Sequence, residues 1–212
     1  VQVVTRHTPS FGVARLVLGP GEQIRTRVGA MMATSYGMAV RPKVGAAKPA
    51  NRQLGGGPAA AEFAAPALGG WVDVTPNRAG ELHTLELAGP PGWCVHRDAW
   101  LATSATVGLA GQSPLLRAVL GSDDGFLLHA LGAGTLLLAC FGMLDVVNLK
   151  AGEAVTLDTG HIAAFREGTQ VRVRALSQSG TQSMRSGEGL VADFAGPAQI
   201  LTQTRNARTV SH

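Results

Sequence analysis

Apolar and polar residues alternate with a period of two along much of the chain. Ile24, Thr26 and Val28 alternate with Arg25 and Arg27. Leu85 and Leu87 alternate with Thr84 and Glu86, and Val171, Val173 and Ala175 with Arg172 and Arg174. That period places one set of side chains on each face of a β-strand. The 28 glycines and 11 prolines interrupt the chain too often for long helices. The best helical segment is short, Pro114 to Leu120. Many short strands between Gly/Pro turns predict an all-β sandwich or barrel.

The pattern also repeats. Pro20-Gly21-Glu22 returns as Pro91-Gly92 and as Ala151-Gly152-Glu153, each followed by a strand-like run ending on a small residue: Ala33, Ala102, Ala164. Gly21 to Ala33 aligns with Gly152 to Ala164 without a gap, and the run from Gly92 to Ala102 is two residues shorter. A Gly-bearing loop, an apolar run, a small-residue turn and a second apolar run then complete each unit. The predicted turns are Ala67-Leu68-Gly69-Gly70, Gly132-Ala133-Gly134 and Ala195-Gly196-Pro197. Three pseudo-repeats, about 10–76, 80–143 and 144–204, are expected within a single domain of residues 1–204, with 205–212 as a flexible tail. The period is too long for a solenoid unit.

Phe126 to Leu144 carries no charge over nineteen residues, the length of a membrane span. Its glycines, and Asp73, Asp193 and Gln199 in the aligned stretches, favour two buried strands around Gly132-Ala133-Gly134.

Composition adds limits. A chain of 212 residues, 45% apolar and 15% charged, is globular and can bury a large core. The net charge of +4 is uneven. Residues 1–52 hold eight basic residues, Arg6, Arg15, Arg25, Arg27, Arg41, Lys43, Lys48 and Arg52, against Glu22 alone. That first quarter is therefore +7 and the remainder −3. Cys94 and Cys140 fit buried free thiols, not a zinc motif. The opening decapeptide lacks the apolar core of a signal peptide, so a cytoplasmic location is expected.

The residues of Pro20-Gly21-Glu22, Gly29-Ala30-Met31, Ala61-Glu62-Phe63, Gly125-Phe126-Leu127-Leu128, Asp158-Thr159-Gly160-His161-Ile162-Ala163-Ala164-Phe165 and Gly187-Glu188-Gly189-Leu190 resemble the altered-inheritance-of-mitochondria family. That family groups with β domains like the tryptophan RNA-binding attenuation protein (TRAP). The resemblance spans roughly residues 10–204. It implies an all-β, double-stranded β-helix or β-sandwich in three TRAP-like pseudo-repeats, homo-oligomerisation with a trimer favoured, and no settled biochemical activity. Gly21, Glu22, Asp158, Thr159, Gly160 and His161 are the family-motif residues, expected in structural roles. The loop of residues 41–58 departs from the family in being rich in Ala, Pro and basic residues.

Chemistry is weakly signalled. A cupin-like metal enzyme needs converging imidazoles and a carboxylate. The six histidines, His7, His83, His96, His129, His161 and His212, form no His-X-His element, although His96 and Asp98 could share a strand face. His129 is expected as a hydrogen-bonded core residue, and His161 as a turn residue whose ring caps backbone. Asp158-Thr159-Gly160 has the form of an aspartic-protease triplet. Arg27 and His96 occupy the matching positions elsewhere, so no carboxylate dyad forms. Asp158 and Thr159 are expected to bond backbone in a turn. An RNA or anionic membrane surface could be met by Arg25, Arg27, Arg41, Lys43, Lys48 and Arg52, with Tyr36, Trp71, Trp93 and Trp100 as stacking platforms. The leading expectation is a non-enzymatic, self-associating β scaffold or binding module without a cofactor.

Overall fold

The computed structural model describes residues 1–43, 58–111, 127–175 and 190–206. These residues form strands and one 3-10 turn, Thr159–His161. Residues 44–57, 112–126 (with the segment Pro114 to Leu120), 176–189 and 207–212 lie outside the described residues.

A leading strand, β1 (Gln2–Arg6), precedes three units. Unit one contains β2 (Val13–Leu18), β3 (Gln23–Arg27), β4 (Met31–Thr34), β5 (Ala39–Lys43), β6 (Ala60–Ala64) and β7 (Gly70–Val74). Unit two contains β8 (Leu82–Ala88), β9 (Trp93–His96), β10 (Trp100–Ser104), β11 (Val107–Gly111) and β12 (Leu127–Ala139). Unit three contains β13 (Leu144–Leu149), β14 (Ala154–Asp158), β15 (Ile162–Arg166), β16 (Gln170–Ala175), β17 (Leu190–Ala195) and β18 (Ala198–Gln203).

One antiparallel pairing scheme occurs three times. In unit one, β2 and β4 flank β7, while β3 and β5 flank β6. In unit three, β13 and β15 flank β18, while β14 and β16 flank β17. In unit two, β12 serves both sheets: its first half lies between β9 and β11, its second between β8 and β10.

The expected turn at Gly132-Ala133-Gly134 is therefore absent; Leu127 to Ala139 is a single strand. The glycines have a different task. The corner between β10 and β11 crosses the strand there, and Thr106 Oγ1 donates to Ala133 O at 2.6 Å. Gly132 and Gly134 sit at φ +136° and +138°. A Cβ on Gly132 would lie 2.3 Å from Thr106 O. Only glycine lets the two backbones approach so closely.

The small residues Ala33, Ala102 and Ala164 share a geometrical place. Each follows a register shift in its strand, Met31/Ala33, Trp100/Ala102 and Ile162/Ala164. An extra residue in one strand of a pair bends it and sharpens its twist. The repeated phrase thus leads, in every unit, to the same β-bulge.

The strand entries repeat as well. Gly21 and Gly152 have φ of +70° and +86°, where glycine carries no Cβ penalty. Glu22 N donates to Gly19 O at 3.1 Å, and Gly19 N donates back to Glu22 Oε2 at 2.9 Å. Glu153 N donates to Lys150 O at 3.0 Å, and Lys150 N to Glu153 Oε2 at 2.7 Å. Unit two has Trp93 in place of the glutamate. There Gly92 N donates to Glu167 Oε2 of unit three at 3.0 Å.

Each unit has an apolar core, and the cores interlock. Ile24, Phe63, Val72 and Val74 of unit one pack with Leu101 and Ala102 of unit two. Trp93, Val95, Trp100 and Leu128 of unit two pack with Ala163 and Ala164 of unit three. Phe165 and Phe194 of unit three pack with Cys94 and Leu127 of unit two, and the two rings meet edge to face at 5.1 Å. The alternation predicted in β3 holds for Ile24 and Thr26, which are buried. Val28 lies beyond the strand end, in the turn where Ala30 N donates to Arg27 O, and is 60% exposed.

Candidate functional site

The basic residues of the first quarter do not form one surface. Arg25 donates to the carbonyls of Ala105 and Val107 in unit two. Its Nε also lies 3.8 Å from Glu62 Oε2. Arg27 donates to Trp100 O at 3.0 Å and to Arg97 O at 2.6 Å. Burial lowers the pKa of Arg27. These two side chains bind unit one to unit two, because a guanidinium fans several donors across neighbouring carbonyls. Arg41 and Lys43, expected in a loop, belong to β5, and Arg41 is exposed. Lys48 and Arg52 lie outside the described residues.

The proposed stacking platforms separate in the same way. Trp93 and Trp100 are core residues, and the guanidinium of Arg166 covers Trp93 at 4.5 Å. Arg15 stacks on Trp71 at 3.8 Å. Tyr36 is fully exposed.

The motif from Asp158 to His161 is a hub of backbone contacts. Asp158 caps the 3-10 turn, accepting from Gly160 N at 2.6 Å and from Asn206 Nδ2 at 3.1 Å. Thr159 Oγ1 donates to Leu190 O at 3.1 Å. Gln203 Nε2 donates to Gly160 O at 2.8 Å. His161 Nδ1 lies 2.8 Å from Gln203 O, which fixes it as the donor. Arg205 and Asn206, expected in a flexible tail, are tied down. Arg205 N donates to Phe141 O at 3.1 Å, and Asn206 reaches Asp158.

Histidines and thiols are similarly engaged. His129 Nε2 lies 3.0 Å from Glu167 Oε1 within the junction of units two and three. The amide of Gly92 first, then His129, lowers the pKa of Glu167. His96 does not share a strand face with Asp98, because β9 ends at His96 and Asp98 lies in the following turn. The Asp98 amide donates to His96 Nδ1 at 3.1 Å. Burial pushes both Cys94 and Cys140 up to about 12. Among the described residues, no group of three or more His, Cys, Asp or Glu is placed to hold a metal ion. A cavity of about 70 Å³ at the unit-one face of the junction is lined by Arg27, Arg78, Asp98 and Cys140, among others. That is well below the ~300 Å³ where small-molecule pockets begin.

Two features went unread in the sequence. One is a charge cluster in unit one. Asp73, only 2% exposed, accepts from Arg15 Nε and Nη2 at 2.8 and 2.9 Å, and from Arg6 Nη2 at 2.7 Å. Arg15 above all, then Arg6, hold its carboxyl down at about 2. Unit three holds another paired carboxylate at a different place in the scheme, on β17: Asp193 accepts from Arg174 Nε at 2.6 Å and Thr156 Oγ1 at 2.7 Å.

The other is a pair of sheet edges. The eleven-stranded sheet runs β13-β18-β15-β9-β12-β10-β3-β6-β5, with β8 and β11 also paired to β12, and so crosses both junctions between units. At each crossing the third strand of one unit pairs with the second strand of the unit before it: β15 with β9, and β10 with β3. The remaining third strand, β4, ends a four-stranded sheet, and the remaining second strand, β14, ends a three-stranded one. Met31 and Met32 of β4 are 48% and 53% exposed. Their equivalents Trp100, Leu101, Ile162 and Ala163 are at most 1% exposed. The alignment of Met31-Met32-Ala33 with Trp100-Leu101-Ala102 was legible. What it could not show was that β4 and β14 are left unjoined among the described residues.

Three units with one pairing scheme, two of six strands and one of five in which β12 does the work of two, are joined edge to edge and define a triplicated antiparallel β protein. Its motif residues serve turns, bulges and junctions. The chain belongs to the AIM24 family: the family model described as mitochondrial biogenesis AIM24 matches residues 3–205. It is 30% identical over 140 residues to the uncharacterized protein M6_Spy0233 of Streptococcus pyogenes serotype M6. That match takes in 65% of this chain and 55% of the relative, so the chain spans little more than half of the curated relative's length. The crystal structure of protein SPYM3_0169 from Streptococcus pyogenes superposes with a TM-score of 0.79 at 21% identity. It covers 98% of this chain and 95% of that one, and so shares the fold. No described helix is long and apolar enough to cross a membrane.

Proposed function

We propose that this chain is a non-enzymatic, TRAP-like β module that associates with itself and serves as a scaffold or binding module. One observation carries the reading. Met31 and Met32 stand about half exposed on a sheet edge, whereas the same positions in the other two units are buried. An open, apolar edge strand invites another strand. The motif residues supply backbone contacts, which agrees with a structural role: Asp158, Thr159, Gly160 and His161 hold Leu190, Gln203 and Asn206. Light scattering over a concentration series tests the reading. Discrete assemblies are expected at micromolar concentration, and a clean monomer throughout would refute it.

The RNA or anionic-surface reading has less support, because Arg25 and Arg27 engage carbonyls of the neighbouring unit. Arg41 is exposed on β5 and keeps that reading testable. A salt titration against an RNA oligomer and phosphatidylserine vesicles decides it, since phosphate neutralisation strengthens steeply as salt falls.

A further inference from the structure

The two internal junctions share a register. Where β10 meets β3, Ala102 faces Thr26, Thr103 faces Arg25 and Ser104 faces Ile24. Where β15 meets β9, Ala164 faces Val95, Phe165 faces Cys94 and Arg166 faces Trp93. In both, the alanine after the bulge lies opposite the same position of the second strand. Among the described residues, the third strand of unit one and the second strand of unit three are the two members of this series without a partner across a junction.

We propose that a second copy of the chain completes the series: β4 of one copy adds antiparallel to β14 of the next. The internal register then sets Ala33 opposite Leu157, Thr34 opposite Thr156 and Ser35 opposite Val155. This rests on the self-association proposed above and specifies its mode. Both surfaces already exist on every copy, and the chain itself twice demonstrates how they fit. Neither edge carries the lysine or proline that blunts a solitary edge strand: β4 reads Met-Met-Ala-Thr and β14 reads Ala-Val-Thr-Leu-Asp. The other open edges among the described residues, β1, β5, β8, β11, β13 and β16, have no internal junction to copy. Because the two surfaces differ, the contact is head to tail. Each added copy exposes a fresh β4 or β14, so growth ends only in a closed ring or continues as a filament.

Cysteine pairing tests the register. Opposed residues on neighbouring strands hold their Cβ atoms about 4.5–5.5 Å apart, within reach of a short thiol cross-linker. Cys94 and Cys140 are buried and contribute little background. A mixture of T34C chains with T156C chains should give a cross-linked dimer, neither variant alone should, and the T34C/T156C double variant should give a ladder. R172C, on the opposite edge of the β14 sheet, should not replace T156C. Dimers from T34C alone would mean a symmetric contact, and a cross-link within one double-variant chain would mean that the chain closes on itself. Either result overturns the inference. Assembly without the T34C–T156C link refutes the edge mode and leaves self-association standing, whereas a monomer in light scattering removes both. As a second test, M31K/M32K alters only half-exposed side chains and should shift the assembled mass to the monomer. A folded M31K/M32K protein that assembles like the parent also overturns the inference.

Discussion

Replacing Asp73 with asparagine removes one negative charge from between two guanidiniums. Arg15 and Arg6 hold that carboxyl at about 2, against an ordinary 3.8. A depression of nearly two units corresponds to about 2.5 kcal/mol, at about 1.4 kcal/mol per unit. Arg15 and Arg6 are 38% and 35% exposed, so water screens part of the attraction. About 1.5–2 kcal/mol is the expected loss at neutral pH after that discount. The folded carboxyl is the stronger acid, so its contribution is fully present above the unfolded pKa near 3.8 and fades as pH falls through about 2. D73N has no proton to gain at this position. Its urea-unfolding free energy should therefore lie below the parent's at neutral pH and converge with it at the acid end. Tryptophan fluorescence follows the transition, and Trp71, stacked under Arg15, lies beside the altered group. A difference below about 0.5 kcal/mol at neutral pH would refute the reasoning, because the ion pair would then be no better than an average surface one. So would a difference that stays constant down to the acid limit.

G160A would place a Cβ 2.2 Å from Asn206 Oδ1; displacing Asn206 from Asp158 should cost about 1–3 kcal/mol in chemical denaturation. Phe194 is 1% exposed and edge-on to Phe165, so F194A should lose about 3–5 kcal/mol by the same assay. Cys94 and Cys140, with thiols pushed up to about 12 by burial, should resist a disulfide reagent in the native protein and react only as fast as the chain opens. Rapid native labelling of either would contradict their burial.

The repeat was legible because its physics is local. A glycine at positive φ, a glutamate reaching back to close the turn, and a small residue after a bulge all leave marks at fixed spacing. Gly21, Glu22, Gly152 and Glu153 are such marks, and Ala33, Ala102 and Ala164 are others. The role of Asp158 and Thr159 was legible for the same reason, since short polar side chains bond nearby backbone. Long-range facts were not. Gly132 and Gly134 look like a turn in one dimension, and only the crossing of Thr106 explains why a strand needs them. Arg25 and Arg27 read as solvent-facing by their period. The period says which face they occupy, not that a second unit covers it. The open edges at β4 and β14 depend on how units join, which no single unit encodes.

A tandem chain of similar units risks pairing a strand with the right partner from the wrong unit. Strand β12 sets the middle unit apart from its two neighbours. In units one and three, two separate strands meet at a corner, so segments of those units resemble one another. Unit two offers a single thirteen-residue strand bonded to β8, β9, β10 and β11. No cornered pair from another unit can take its place without breaking that continuity. The middle unit is therefore distinct in its pairing, and it meets the two outer units through different strands, β10 against β3 and β9 against β15.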